Sequence, residues 1–157
     1  MTARHIKFMQ EALKEARRAF AEDEVPVGAV IVYKDRIISR GHNQTERLKD
    51  PTAHAEMLAI TSATNSLNTK WLKGASVYVT IEPCSMCAGA LVLARIKNLI
   101  YGADDPKAGA SGSVTNIINN KSLNHRVKVQ KGILEKECSD LLTQFFKGKR
   151  QQNKRLP

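Results

Sequence analysis

Pro83-Cys84-Ser85-Met86-Cys87 leaves this chain few choices. Ala75 to Ile81, just before it, is a near-continuous apolar run, the pattern of a buried strand. Pro83 suits the first turn of a helix, where its missing N–H costs nothing. That helix continues through Met86, Ala90, Leu91 and Leu93 to about Arg95. Two cysteines three apart at its start point both thiols to one side, which is half of a metal site. The positive end of the helix also favours them as thiolates. A C-x-x-C spacing serves redox centres too, but no thioredoxin-like context accompanies it here.

Two thiolates leave two positions around a tetrahedral ion. A structural zinc would fill both from a second close pair of Cys or His. The four histidines, His5, His42, His54 and His125, contain no His-x(3–5)-His unit. His42 and His125 are each a candidate fourth ligand, and each also reads as a polar strand-end or loop residue. His54 is set apart by Glu56, two residues on. Thr52 is a plausible N-cap for a helix over about Ala53 to Asn65, and on that helix Glu56 faces away from His54. His54, Cys84 and Cys87 then supply three ligands, with one position open for water and the Glu56 carboxylate beside it. H-x-E followed by P-C-x-x-C is the pattern of zinc deaminases. Such an ion lowers the pKa of a water from about 15.7 to roughly 7. Glu56 would carry protons from the water to a ring nitrogen and to the departing amine. The chemistry expected is hydrolytic removal of an exocyclic amine from a base.

Around this centre the chain alternates. Ile6, Met9, Leu13, Ala16 and Phe20 recur at helical spacing among Lys7, Lys14, Arg17 and Arg18, giving an amphipathic first helix. Val25 to Tyr33 and a second run around Ile37-Ile38 read as a β-hairpin ending near Gly41-His42-Asn43. Gln44 to Pro51 reads as a polar loop. After the cysteine helix come a short strand at Leu99 to Tyr101, a loop over Gly102 to Gly112, a short helix at Val114 to Asn119 and a short strand at Val127 to Val129. Leu134, Cys138, Leu141 and Phe145 share one face of a final helix, so Cys138 reads as core. Strands and helices in this order predict an α/β domain with a mixed sheet covered on both faces.

The 157 residues read as a single domain, 1–157, with a basic C-terminal helix and tail at about 143–157. After Asp140 no acidic residue appears, while Lys147, Lys149, Arg150, Lys154 and Arg155 crowd together. The formal net charge of +10 suits a polyanionic partner such as nucleic acid. Three cysteines are too few for a disulfide framework and fit a reducing compartment. Met1 to Phe20 is not a signal peptide, and no apolar run approaches the roughly 20 residues that span a bilayer. A cytoplasmic protein without membrane contact is expected.

Over nearly its whole length the chain resembles the bacterial tRNA-specific adenosine deaminases of the cytidine deaminase-like superfamily. The residues that carry the likeness are Glu24-Val25-Pro26-Val27-Gly28-Ala29-Val30, Gly41-His42-Asn43, His54-Ala55-Glu56-Met57 and Glu82 to Ala90. Tyr101 to Ala110, Asn124-His125-Arg126-Val127 and Phe145-Phe146 complete them. The zinc motif alone marks the superfamily; the other segments narrow it. The resemblance implies a three-layer α/β/α sandwich with a five-stranded mixed sheet, one zinc ion per subunit and a homodimer. It implies that the wobble adenosine of a tRNA anticodon, usually of arginine tRNA, is converted to inosine. It also implies that Asn43 contacts the flipped nucleotide and Val27 lines its pocket. Asp105 and Lys107 would meet the neighbouring nucleotides, and Phe145, Phe146 and the basic tail with Arg150 would hold the anticodon loop. Phe145 reads equally as a core residue, and the tail as a solvated end.

Two rivals share parts of this pattern. A deaminase of free guanine or cytosine has the same metal chemistry but no need of +10 charge or a cationic tail. A noncatalytic RNA-binding module with a structural zinc would not need Glu56 beside an open position.

Overall fold

The computed structural model describes residues 2–155, so Met1 and the last two residues of the expected tail lie outside it. Helix α1 (Ala3–Ala21) is capped by the Thr2 side chain, which accepts from the His5 N–H at 3.3 Å. Strands β1 (Gly28–Tyr33) and β2 (Arg36–His42) form the expected hairpin. Lys34 and Asp35 between them both have positive φ, 49° and 61°, the two-residue turn whose twist matches that of paired strands. After β2 come α2 (Thr45–Leu48), α3 (Ala55–Leu67), β3 (Ser76–Ile81), α4 (Ser85–Leu93), β4 (Asn98–Ala103), β5 (Lys128–Lys131) and α5 (Glu135–Arg155).

The sheet order is β2-β1-β3-β4-β5, antiparallel from β2 to β3 and parallel from β3 to β5. Alternation along the strands builds two cores. Ala29, Ile31, Val77, Val79, Leu99 and Tyr101 face α3 and α4. Val30, Val32, Tyr78 and Ile100 face α1 and α5, where Phe8, Met9, Leu13 and Cys138 meet them. This is the expected three-layer α/β/α sandwich. Cys138 is buried in the second core, as its helical spacing predicts.

Because β1 runs against β3, the start of β1, the end of β2 and the end of β3 fall at one edge of the sheet. Val27, Asn43 and the Pro83–Cys87 turn therefore converge there, at the carboxyl ends of the parallel strands where open α/β sheets place their ligands. Among the described residues no helix is long and apolar enough to cross a membrane.

Several local expectations are corrected. β1 begins at Gly28 rather than Val25, after Pro26, which has no N–H to give a ladder. The polar loop after β2 contains one helical turn, α2, because the buried carboxylate of Glu24 accepts from the N–H groups of Glu46 (3.0 Å) and Arg47 (2.8 Å). Thr52 does not cap α3. It closes a turn on Asp50, whose Oδ1 accepts from its N–H and hydroxyl at 2.8 and 2.7 Å, and His54 is the N-cap residue. Pro83 lies just outside α4, for which Cys84 is the N-cap residue. Residues 114–119 form no helix; Asn116 bridges to Ser111, and Ile117 N–H donates to the Ala110 carbonyl at 2.9 Å.

Candidate active site and metal centre

His54 and Cys84 each stand at the N-terminal boundary of a helix, with extended backbone (φ, ψ of −77°, 155° and −72°, 176°) that turns the side chain across the helix end. Cys87 follows one turn into α4, buried. The α3 end is drawn in by β2. A side chain on Gly41 would overlap the Ala55 carbonyl, and the Ser39 hydroxyl donates to the Ala59 carbonyl at 2.8 Å. Close approach there needs a glycine.

The three donor atoms, His54 Nδ1 and the two cysteine Sγ atoms, lie within 4.8 Å of one another. Nδ1 is 3.6 Å from Cys84 Sγ and 3.5 Å from Cys87 Sγ. Ligands on a tetrahedral zinc, with bonds near 2.1 Å to nitrogen and 2.3 Å to sulfur, stand about 3.6 Å apart. The donor set and its spacing both fit. Hydrogen bonds from Cys87 and then His54 bring the pKa of Cys84 down to about 3, while the hydrogen bond to Cys84 and burial raise that of Cys87. His42 and His125 stay away from the centre. His42 Nε2 pairs with Glu22 at 2.8 Å, and His125 Nε2 meets the Ile96 carbonyl at 2.6 Å.

Glu56 lies in the first turn of α3 and is 3% exposed. Its Oε1 is buried with no hydrogen-bond partner among the described residues. Leaving a carboxylate oxygen buried and unpaired is unfavourable, and burial raises the Glu56 pKa accordingly. A buried acid with one unpaired oxygen beside three metal-type donors is placed where it can exchange protons with a group held there.

His54, Glu56 and Cys84 line a cavity of about 670 Å³. Val27, Asn43, Asp105, Lys107, Phe146 and Arg150 line it too. Asn43 is buried, and its N–H donates to the Val27 carbonyl at 3.1 Å. Phe145 is separate. It is 7% exposed, packs edge-on to Phe20 (5.8 Å between centroids), and lines the adjoining groove instead.

Sequence reasoning missed how the Asp105–Lys107 loop is held. Glu82, 1% exposed, accepts from the N–H groups of Asp105 (3.1 Å), Ser111 (2.9 Å) and Ser113 (3.1 Å), and from the Ser113 hydroxyl. Burial alone would raise its pKa; these bonds outweigh it and hold the carboxyl below its usual range. Asp105 Oδ1 in turn accepts from Lys107 and Ala108 N–H at 3.0 and 3.2 Å. A glutamate before Pro83 at a strand end was the available signal. Leu142, Lys149 and Asn153 also line the cavity, and Leu142 with Phe146 is an i,i+4 pair that the helical spacing of α5 contains.

Comparison with known proteins agrees with this geometry. Residues 3–150 match the MafB19-like deaminase family. A tRNA-specific adenosine deaminase of Aquifex aeolicus is 57% identical over 140 residues, covering 89% of this chain and 92% of the relative. A solved structure from work on A-to-I editing by tRNA:A34 deaminases at the wobble position of transfer RNA superposes with a TM-score of 0.84 at 46% identity, covering 87% of this chain and 99% of the other. The guanine deaminase of Nitrosomonas europaea, 23% identical with a TM-score of 0.77, covers 89% of this chain and 83% of its own and shares the fold. With its His-Cys-Cys cluster, its buried glutamate and relatives that match it nearly end to end, the chain belongs to the tRNA-specific adenosine deaminase family.

Proposed function

We propose that this protein hydrolytically deaminates the wobble adenosine of a tRNA anticodon to inosine, with arginine tRNA as its substrate. The observation that carries the chemistry is the unpartnered Glu56 oxygen beside the His54, Cys84 and Cys87 donors. The substrate class is supported by relatives named as tRNA-specific adenosine deaminases.

His54, Cys84 and Cys87 hold one zinc ion, which when bound supplies the Lewis acidity that brings the pKa of a water from about 15.7 toward 7. Glu56 takes a proton as water adds to C6 of adenine and delivers it to N1. It then takes the proton of the new C6 hydroxyl and passes it to the amine, so that the C6–N bond breaks, ammonia leaves and a C6 carbonyl remains. Burial raises the Glu56 pKa, which favours the proton-bearing form from which it donates. Val27 and the Asn43 amide position the base, the latter by hydrogen bonds to its edge. Asp105 and Lys107 contact the flanking nucleotides, while Phe146 and Arg150 hold the loop by stacking and charge. Phe145 supports Phe146 from behind, their rings 5.4 Å apart. The protein acts in the cytoplasm, where its three free cysteines stay reduced. It acts as a homodimer, which would cover Leu93, 75% exposed at the end of α4.

The deciding experiment incubates the zinc-loaded protein with an anticodon stem-loop bearing a wobble adenosine and measures inosine. Wild type should convert it, and Glu56→Ala should keep stoichiometric zinc while losing at least about 100-fold in rate. Cys87→Ala should lose the metal. An active Glu56→Ala protein refutes the proton-transfer role. Conversion of free guanine or cytosine with none of the RNA refutes the substrate.

A further inference from the structure

The end of the sheet remote from Glu56 carries a second feature. The loops that lead into β3, β4 and β5 meet there, because those three strands run parallel. Lys73, Arg95, Lys97, Arg126 and Lys128, with His125, line a cleft of about 370 Å³ between them. The loops are tied to one another through the backbone. Leu72 N–H donates to the Ala94 carbonyl (2.7 Å), Lys97 N–H to Ala75 (2.9 Å) and Lys128 N–H to Lys97 (3.0 Å). His125 is fixed on the Ile96 carbonyl, and Lys73 Nζ lies 4.7 Å from the Trp71 ring. The cations thus project from a rigid frame.

Their charge is uncompensated. Outside the cleft, eight of the cations pair with a carboxylate among the described residues, for example Arg4 with Asp35 at 2.8 Å, Arg40 with Glu11 at 2.8 Å and Lys149 with Asp23 at 2.6 Å. None of the five cleft cations has a carboxylate within 4.0 Å among the described residues. The sequence shows why. Residues 57–103 contain a single acid, Glu82, which sits at the far end of β3, and residues 106–134 contain none. Gathering like charges in one cleft raises the local potential and concentrates counterions, whose release favours a polyanion. Five Lys and Arg side chains without a carboxylate to read base edges suit phosphates, which position a nucleic acid without specifying its sequence.

We propose that this cleft is a second RNA-binding surface, which grips the phosphate backbone outside the anticodon loop. The proposal rests on the reading of the substrate as tRNA. β3 has six residues at about 3.3 Å each, so cleft and catalytic pocket are roughly 20 Å apart. The nucleotides in the pocket and the phosphates on the cleft are therefore different parts of one RNA, or belong to two.

The test measures binding of full-length tRNA and of the anticodon stem-loop from low to high salt. In the Lys73→Gln, Lys97→Gln, Lys128→Gln protein, the slope of log affinity against log salt for tRNA should fall by about two to three, near 0.7 to 0.9 for each phosphate no longer neutralised. Inosine formation on saturating stem-loop should be unchanged. A fall seen with tRNA alone assigns the cleft to the body of the substrate; one shared with the stem-loop assigns it to the stem or to a second bound RNA, which a stoichiometry of two RNAs per protomer identifies. A control protein with Lys7→Gln, Lys34→Gln and Lys136→Gln carries the same charge loss on other faces and should change the slope by less than about one. If the triple variant is poorly folded, Arg126→Gln alone should lower the slope by about one. An unchanged slope, an equal fall in the control, or loss of binding only to phosphatidylserine vesicles overturns the proposal. Wild-type protein that makes no inosine in either RNA overturns instead the reading beneath it.

Discussion

Gly109 lies so tightly against Glu82 that a methyl group on it would overlap the carboxylate. The carboxylate cannot retreat, because Asp105, Ser111 and Ser113 all donate to it. Gly109→Ala should therefore destabilise the protein by about 1–3 kcal/mol, the usual range for overpacking a filled site. It should also raise KM for the stem-loop, since the same loop carries Asp105 and Lys107, while zinc content stays at one per chain. A urea midpoint and a KM both at wild-type values would show that the loop accommodates the methyl group.

Phe145 and Phe146 are neighbours in sequence with opposite surroundings. Phe145 is 7% exposed against Phe20, and Phe146 is 44% exposed at the cavity wall. Phe145→Ala should cost about 3 kcal/mol by leaving a hole between α1 and α5. Phe146→Ala should change stability by less than about 0.5 kcal/mol and raise KM for RNA with kcat little altered. Chemical denaturation beside steady-state kinetics separates the two, and a reversal of these phenotypes would contradict the assignment.

His5 should give stability a pH dependence distant from the active site. Its Nδ1 lies 2.8 Å from the Tyr78 hydroxyl, and burial followed by the adjacent Arg4 charge lowers its pKa below the ordinary 6.5. The unfolded chain thus takes up this proton at a higher pH than the folded one. The resulting stability is fully present above about 6.5 and is lost as pH falls through the lowered folded value. Replacing His5 with Gln should flatten the dependence of Tm on pH between about 7 and 5. Parallel wild-type and variant curves across that window would exclude His5 as the source.

The parts of the fold legible in the sequence are those whose cause is local. Apolar runs mark β1 and β3, helical spacing marks α1 and α5, and the metal donors announce themselves by residue type. Sheet order is not local, and nothing in Val25 to Tyr33 says that β1 lies between β2 and β3. Residues 114–119 show the same limit. Their apolar content suggests a helix, yet their course follows from Glu82, some thirty residues earlier, holding Ser111 and Ser113. The α2 turn likewise exists because Glu24 reaches its N–H groups across the hairpin. His54 as N-cap is a subtler case: Thr52 offers the better capping chemistry but satisfies Asp50 instead.

Helix α5 spans about 31 Å at 1.5 Å per residue, and its two halves have unlike surroundings. Cys138 anchors the first half against Gly102, where a side chain would overlap its sulfur, and the Lys149–Asp23 pair clamps the middle. Beyond that clamp Arg150 and Asn153 still face the cavity, but residues 150–155 are exposed. The helix is in effect a cantilever, fixed in the core and reaching along the wall of the cavity. Substitutions near its exposed end can reshape the cavity wall while the core and the His-Cys-Cys cluster stay as they are, so the wall and the metal-type donors can diverge separately in this architecture.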